Sequence, residues 1–224
     1  MQTDNTNRAR LTSILSRLCL AAFLALSTGA SPTRQAVADV AGLADHGRIE
    51  ALLQRAQERL ALGAYDLAIQ DLLEAQAVAG QAGDDRRRTL ILGSLGDAYL
   101  AAGQPRAAER ALQDGLDLAR KTDQTALEPA LLNSMGNLRL AEDDPAAALD
   151  SYRQSAALAA RAERPEVVAS AAINGARVLV GEGDAAGAAE WLARAQTALA
   201  RVPASGAKAM QLLAAGRQLA AIDA

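Results

Sequence analysis

An all-α solenoid of four antiparallel helix pairs, closed by a C-terminal capping helix, is the fold class this sequence predicts, and three observations predict it. Four residue series repeat at a spacing of 40: Ala56, Gly96, Gly136, Ala176 and Gly216; Ala68, Ala108, Ala148 and Ala188; Leu72, Leu112, Tyr152 and Leu192; and Gly63, Gly103, Asp143 and Gly183. A fixed period of this size marks stacked supersecondary units, none of which can bury its apolar face alone. Half of the 224 residues are apolar, but alanine and leucine dominate them, and Phe23, Tyr65, Tyr99, Tyr152 and Trp191 are the only aromatics. That mixture favours helices over sheets. Third, helix-stop and helix-start residues adjoin at the same point of each unit, as in Gly103-Gln104-Pro105 and Asp143-Asp144-Pro145.

Taken in order, residues 1–30 read as a secretory leader. Arg8, Arg10 and Arg17 precede the apolar stretch Leu18 to Leu26, and Ser27-Thr28-Gly29-Ala30 follows it. The stretch is about half of the ~20 residues a membrane span needs, so no stable membrane anchor is expected. Cleavage is expected after Ala30, with Ala38 as the second candidate, and the product is an exported, periplasmic chain. Cys19 lies inside the leader, and Ser16-Arg17-Leu18 before it lacks the small residues of a lipidation site. Residues 31–47 read as a flexible linker ahead of a solenoid over 48–224.

The solenoid divides into units of about 49–84, 85–124, 125–164 and 165–204, with a cap at 205–224. Helices are expected over 48–62 and 65–79, 86–102 and 105–121, 126–141 and 145–161, 165–181 and 185–200, then 206–221. Within the second unit Leu92, Leu95, Gly96 and Tyr99 keep the i, i+3, i+4, i+7 spacing of one helical face, and Ala108, Ala111, Leu112 and Gly115 repeat it. Small residues at Gly96, Gly136 and Ala108 let paired helices approach closely, near the short end of the ~8 to 10 Å range. The ninth helix repeats the first-helix pattern through Leu212, Ala215, Gly216 and Leu219, and covers the open end of the stack.

Leu92, Leu95-Gly96, Tyr99, Ala108 and Leu112 resemble the tetratricopeptide (TPR) repeat, and Leu132, Met135-Gly136, Ala148 and Tyr152 fit the same pattern. The first and fourth units depart from it, with Ala56 and Ala176 in place of glycine and Trp191 beside Leu192. The period is about six residues longer than the commonest TPR, which is similar to the longer-helix variety of kinesin light chains and to bacterial arrays that precede a caspase-like (CHAT) module. The resemblance implies a right-handed superhelix whose first helices line a concave groove.

Alignment on the small-residue series places Gln57, Asp97, Asn137, Arg177 and Arg217 in a ladder along that groove, flanked by Leu53, Gly93, Asn133, Ile173 and Leu213. In peptide-binding members of the family asparagines hold the backbone of an extended ligand, because a carboxamide both donates and accepts. The resemblance carries that role to Asn133, Asn137 and Asn174. Arg177 offers a forked pair of hydrogen bonds to a carboxylate. The basic residues that complete a chaperone-tail clamp in such proteins are replaced here by Gly93, Ala130 and Ser170. The same polar residues also read as ordinary solvated helix surface, and Tyr99, Tyr152 and Trp191 as core at the helix contacts.

Catalysis is not expected. Without the leader the chain has no cysteine, and His46 is its only histidine, placed ahead of the first helix as a solvated side chain. No metal-ligand cluster, phosphate loop or cofactor motif is present in the sequence. Removing Asp4, Arg8, Arg10 and Arg17 leaves 20 basic and 25 acidic side chains, a net of −5, which argues against nucleic acid as a partner. The run Asp84-Asp85-Arg86-Arg87-Arg88 reads as a solvated helix start. The expected function is an exported, non-catalytic scaffold that binds a protein or peptide in its groove. Two alternatives stand beside it: a regulatory module of a caspase-like protease system, truncated or acting in trans, and a homo-oligomer assembled through Leu212, Leu213 and Leu219 of the end helix.

Overall fold

The computed structural model describes residues 34–222. The chain divides into two units, Met1–Gly47 and Arg48–Ala224. Nine α-helices follow one another among the described residues: α1 Arg34–Ala61, α2 Tyr65–Gln81, α3 Asp85–Ala101, α4 Pro105–Lys121, α5 Glu128–Ala141, α6 Pro145–Arg161, α7 Pro165–Gly181, α8 Ala185–Ala200 and α9 Gly206–Ile222. A short 3₁₀ turn, Thr125–Leu127, leads into α5 and buries Leu127. No strand occurs among the described residues.

The expected helices are all present, and most ends agree within two residues. The first is the exception. It begins at Arg34 instead of residue 48, so the stretch expected as linker is helical from Arg34 onward, and His46 lies inside the helix, exposed. Proline is absent between Arg34 and Arg48, and Gly42 and Gly47 each face open space. An isolated glycine weakens a helix by about 1 kcal/mol without ending it. The expected leader lies outside the described residues, whereas Ala38 falls within α1. No helix among the described residues is long and apolar enough to cross a membrane.

Seven turns join α1 to α8, and they share one geometry at half the expected period. A residue with positive φ recurs every 20 positions: Gly63, Gly83, Gly103, Asp123, Asp143, Glu163 and Gly183. Each donates its N–H to the carbonyl three residues back, and the next residue donates to the carbonyl five back, as in Gly103 to Leu100 at 3.0 Å and Gln104 to Tyr99 at 2.8 Å. This pairing satisfies carbonyls left over at a helix C-terminus. Helix starts follow at once. Asp84, Asp144 and Asp184 accept from the N–H three residues on, of Arg87, Ala147 and Gly187, and Pro105, Pro145 and Pro165 occupy the first helical position, where no donor is lost. Each unit of 40 residues is therefore two half-units of equal length.

Neighbouring helices pack through the small-residue series. Ala68, Ala108, Ala148 and Ala188 are fully buried on α2, α4, α6 and α8, beside Leu72, Leu112, Tyr152 and Leu192. A Cβ at Gly96 would lie 2.5 Å from the Leu112 side chain, and one at Gly136 would lie 2.5 Å from Tyr152 Cε1. In the fourth pair the close contact has moved by one residue in both helices: Gly175 receives the Trp191 ring, while Ala176 and Leu192 pack beside it. In the first pair the equivalent of that moved contact is ionic. Asp71 is buried between Arg55, whose Nε reaches Oδ1 and Oδ2 at 3.0 Å, and Arg59, whose NH1 reaches Oδ2 at 2.6 Å. The end helix α9 packs on α7 and α8, as expected of a cap, with Ala215 buried in the cluster that holds Ile173 and Ala176. Ile173 is thus core where a groove-flanking residue was expected, because α9 covers it.

Candidate functional site

The first helices α3, α5 and α7 lie side by side, and the faces they leave clear of α4, α6 and α8 carry polar side chains. Two adjoining cavities run along these faces. One, of about 210 Å³, is lined by Leu90, Gly93, Ser94 and Asp97 of α3 and by Leu127, Ala130, Leu131 and Ser134 around α5. The second, of about 350 Å³, begins at the same Asp97, Ala130 and Ser134, continues past Asn133 to Glu166, Val167 and Ser170 of α7, and ends on Val202, Lys208 and Gln211. Asp97, Ala130 and Ser134 belong to both, so the pair forms one groove from α3 to α9.

Hydrogen bonds between repeats hold the groove walls. Asn174 donates Nδ2–H to Asn133 Oδ1 at 3.1 Å, bridging α7 and α5. Gln211 of α9 donates to Ser170 Oγ at 2.6 Å and to the Glu166 carbonyl at 3.0 Å, which closes the far end. Lys208 Nζ donates to the Val202 carbonyl at 2.8 Å. Tyr152 donates its hydroxyl to Asn137 Oδ1 at 2.8 Å from inside the third pair. Burial raises the Tyr152 phenol above its ordinary pKa, and the Arg177 guanidinium beside it offsets part of that rise.

Asp97 differs from the other carboxylates of this face. Its side chain is reached by water through the groove mouth, yet protein surrounds the remainder, and the resulting desolvation raises its pKa while the Ser134 hydroxyl pulls it back. No lysine or arginine among the described residues forms an ion pair with it. Glu166, by contrast, has Arg164 at 2.5 Å.

The structure places the sequence-predicted residues as follows. Asp97 and Asn133 line the groove, and Asn174 reaches it through Asn133. Asn137 and Arg177 meet at the Tyr152 hydroxyl, so two of the three proposed asparagines spend their carbonyl oxygens, and the third one of its N–H groups, on the protein itself. Gln57 and Arg217 are exposed and line neither cavity. Ser134, Glu166, Lys208 and Gln211 were not singled out by sequence, and Ser170 was read only as a replaced clamp position. A signal for the two serines existed in the i, i+4, i+7 stripe Leu90, Ser94, Asp97, which recurs as Ala130, Ser134, Asn137 and as Ser170, Asn174, Arg177. Three or more potential metal ligands do not cluster anywhere among the described residues.

No protein-family model matches the chain, and no curated protein matches it. Solved structures do. The nearly identical TPR-like repeats of a protein assigned as a kinesin light chain from Podosopora anserina superpose with a TM-score of 0.56 at 18% identity, over 78% of this chain and 86% of that one. A single-substitution variant of the same protein gives the same values. Identity that low speaks to the fold alone. Paired helices, recurrent left-handed turns and this superposition together make the chain a TPR-like helical repeat array.

Proposed function

We propose that this chain is an exported, periplasmic, non-catalytic scaffold that binds an extended segment of another protein in the groove along α3, α5 and α7. The observation that carries the reading is the continuous groove of two adjoining cavities, whose walls are tied from repeat to repeat by the Asn174–Asn133 bond and closed by Gln211. A peptide backbone presents both N–H and C=O groups, and this groove offers acceptors at Asp97 and at the Ser134 hydroxyl, with the Asn133 amino group donating to no other described residue. Side chains already fixed by bonds across helices lose little freedom on binding, which lowers the cost of association. The leader and the shortage of catalytic residues in the sequence support export and a non-enzymatic role.

Capture from an envelope extract tests the reading, with the purified chain beside an Asp97→Asn, Asn133→Ala double variant and an Arg153→Ala control on α6. Loss of a partner in the groove variant alone, with its helical melting curve intact, is the expected result. Equal retention by all three would move the binding surface elsewhere, and recovery of the native chain from the cytoplasm would remove the exported role.

Self-assembly has one observation in its favour: Met210, Leu212 and Leu213 of α9 are exposed. A monomer by light scattering at high concentration would remove it. A regulatory role beside a caspase-like protease rests on the sequence resemblance alone.

A further inference from the structure

Charges lining the groove are already satisfied within the protein, with one exception. Glu166 pairs with Arg164, and Lys208 donates to a backbone carbonyl, whereas Asp97 sits where the two cavities join and forms no ion pair with a described residue. Beside it on α3, the first cavity forms an apolar depression lined by Leu90, Gly93, Leu127 and Leu131, in which Leu131 packs so closely on Gly93 that a Cβ there would lie 3.1 Å from its Cδ2. An anionic point and an apolar depression are thus neighbours on one helix, four residues and about 6 Å of helix rise apart. Alternate side chains of an extended peptide are separated by about 6.8 Å.

From this juxtaposition we infer that the groove selects an extended peptide carrying a lysine or arginine, whose cationic head seats on Asp97, with an apolar side chain two residues away in the Leu90–Gly93–Leu131 depression. The inference rests on the groove being a peptide site and adds its specificity. Desolvation of Asp97 supports it, because an exposed but partly desolvated carboxylate with no ion pair among the described residues is stabilised by a ligand that brings a counter-ion. An acidic peptide or a free C-terminal carboxylate would meet Asp97 with like charge, and is rejected. Ser134 keeps a hydroxyl beside the seated head group to accept a further N–H.

Immobilised, capped heptapeptides in a serine and threonine host test this. One guest position carries lysine, arginine, glutamine or glutamate, and a second, two residues away, carries leucine or serine. Each is read against the purified full chain, Asp97→Asn and Asp97→Lys, after the variants are shown to melt as the parent does. The expected result is retention of lysine or arginine guests with leucine at the second position. Asp97→Asn weakens those guests about tenfold, since a hydrogen bond to a charged group contributes about 1.5 kcal/mol or more, and leaves glutamine guests unchanged. Asp97→Lys turns the preference toward glutamate. Peptides retained without a basic preference, or a preference that survives Asp97→Asn, overturn the inference and leave the groove reading standing. Indifference to leucine at the second position overturns the apolar half. No retention of any guest overturns both.

Discussion

Gly175 of α7 lies against the ring of Trp191 of α8, so closely that a Cβ at position 175 would fall inside the contact distance of the six-membered ring. Equivalent positions in the other pairs hold Arg55 with Asp71, Leu95 with Ala111, and Met135 with Ser151. The tight contact lies one residue further on in the second and third pairs, at Gly96 with Leu112 and Gly136 with Tyr152, so a glycine facing a bulky side chain recurs although its register shifts.

Gly175→Ala should therefore destabilise the fourth pair by about 1–3 kcal/mol, the usual cost of overpacking. Trp191→Leu introduced beside it should recover part of that loss, since the obstructing ring is gone. Urea unfolding of the two single variants and the double variant measures the coupling, and additive effects would show that the two residues do not touch. Gly136→Leu, which would drive a side chain into Tyr152, should cost at least as much.

Left-handed backbone at Glu163 is strained, as it is for any residue with a Cβ. Glu163→Gly should raise stability by up to about 1 kcal/mol, the strain relieved less the added freedom of the unfolded chain. Gly103→Ala, at the equivalent turn with φ 71°, should lower it by about 1 kcal/mol. Thermal melts followed by circular dichroism give the sign of each, and a destabilised Glu163→Gly would contradict the turn geometry.

Acid should loosen the first helix pair. The hydrogen bonds from Arg55 hold the Asp71 carboxyl below its ordinary pKa, burial works against them, and the charges of Arg55 and Arg59 add to the lowering. A depressed carboxylate contributes stability that is present above its unfolded pKa of about 3.9 and is lost as pH falls through the lower folded value. Asp71→Asn should cost about 1–3 kcal/mol at neutral pH, with the lower end favoured because Arg55 is half exposed and screened. Melting temperatures between pH 7 and pH 3 should fall less steeply for this variant than for the parent chain.

Asp97 has the opposite sign. Its folded pKa is raised by desolvation, so the folded chain holds that proton more tightly than the unfolded chain and gains stability as pH falls. Asp97→Asn should melt at or above the parent temperature at pH 7, with the difference closing as acid protonates the carboxyl. A higher melting temperature for Asp97→Asn is the outcome expected of a residue kept for binding at the expense of stability. A clear loss of melting temperature in Asp97→Asn would mark the residue as structural instead.

Legibility followed the strength of the local signal. The 40-residue spacing and the glycine series located the helix pairs to within a residue or two, because buried small residues and turn residues are both position-specific. The helix breaks at Gly83, Asp123 and Glu163 were expected, but not that they share the geometry of Gly63 and Gly103, because only one of the three is a glycine. Extension of α1 back to Arg34 escaped as well, since two glycines and a change of composition resemble a linker. At the site, Asp97 and Asn133 were legible from register. Gln211 and Lys208 were not, because they reach the groove only through the way α9 folds back on α7.

The sequence alone determined that this chain is a stack of helix pairs and where each pair turns, since the first follows from the 40-residue period and the second from local stop and start residues. Only the tertiary structure decided which polar residues meet. Asn133 and Asn174 are 41 positions apart, and Ser170 and Gln211 are also 41 apart. Whether such side chains bond to each other or remain for a ligand depends on the rotation and offset between neighbouring repeats, which periodicity does not encode. Asp97 stands apart for that reason: its register placed it on the groove, and only the packing around it left it without an ion pair among the described residues.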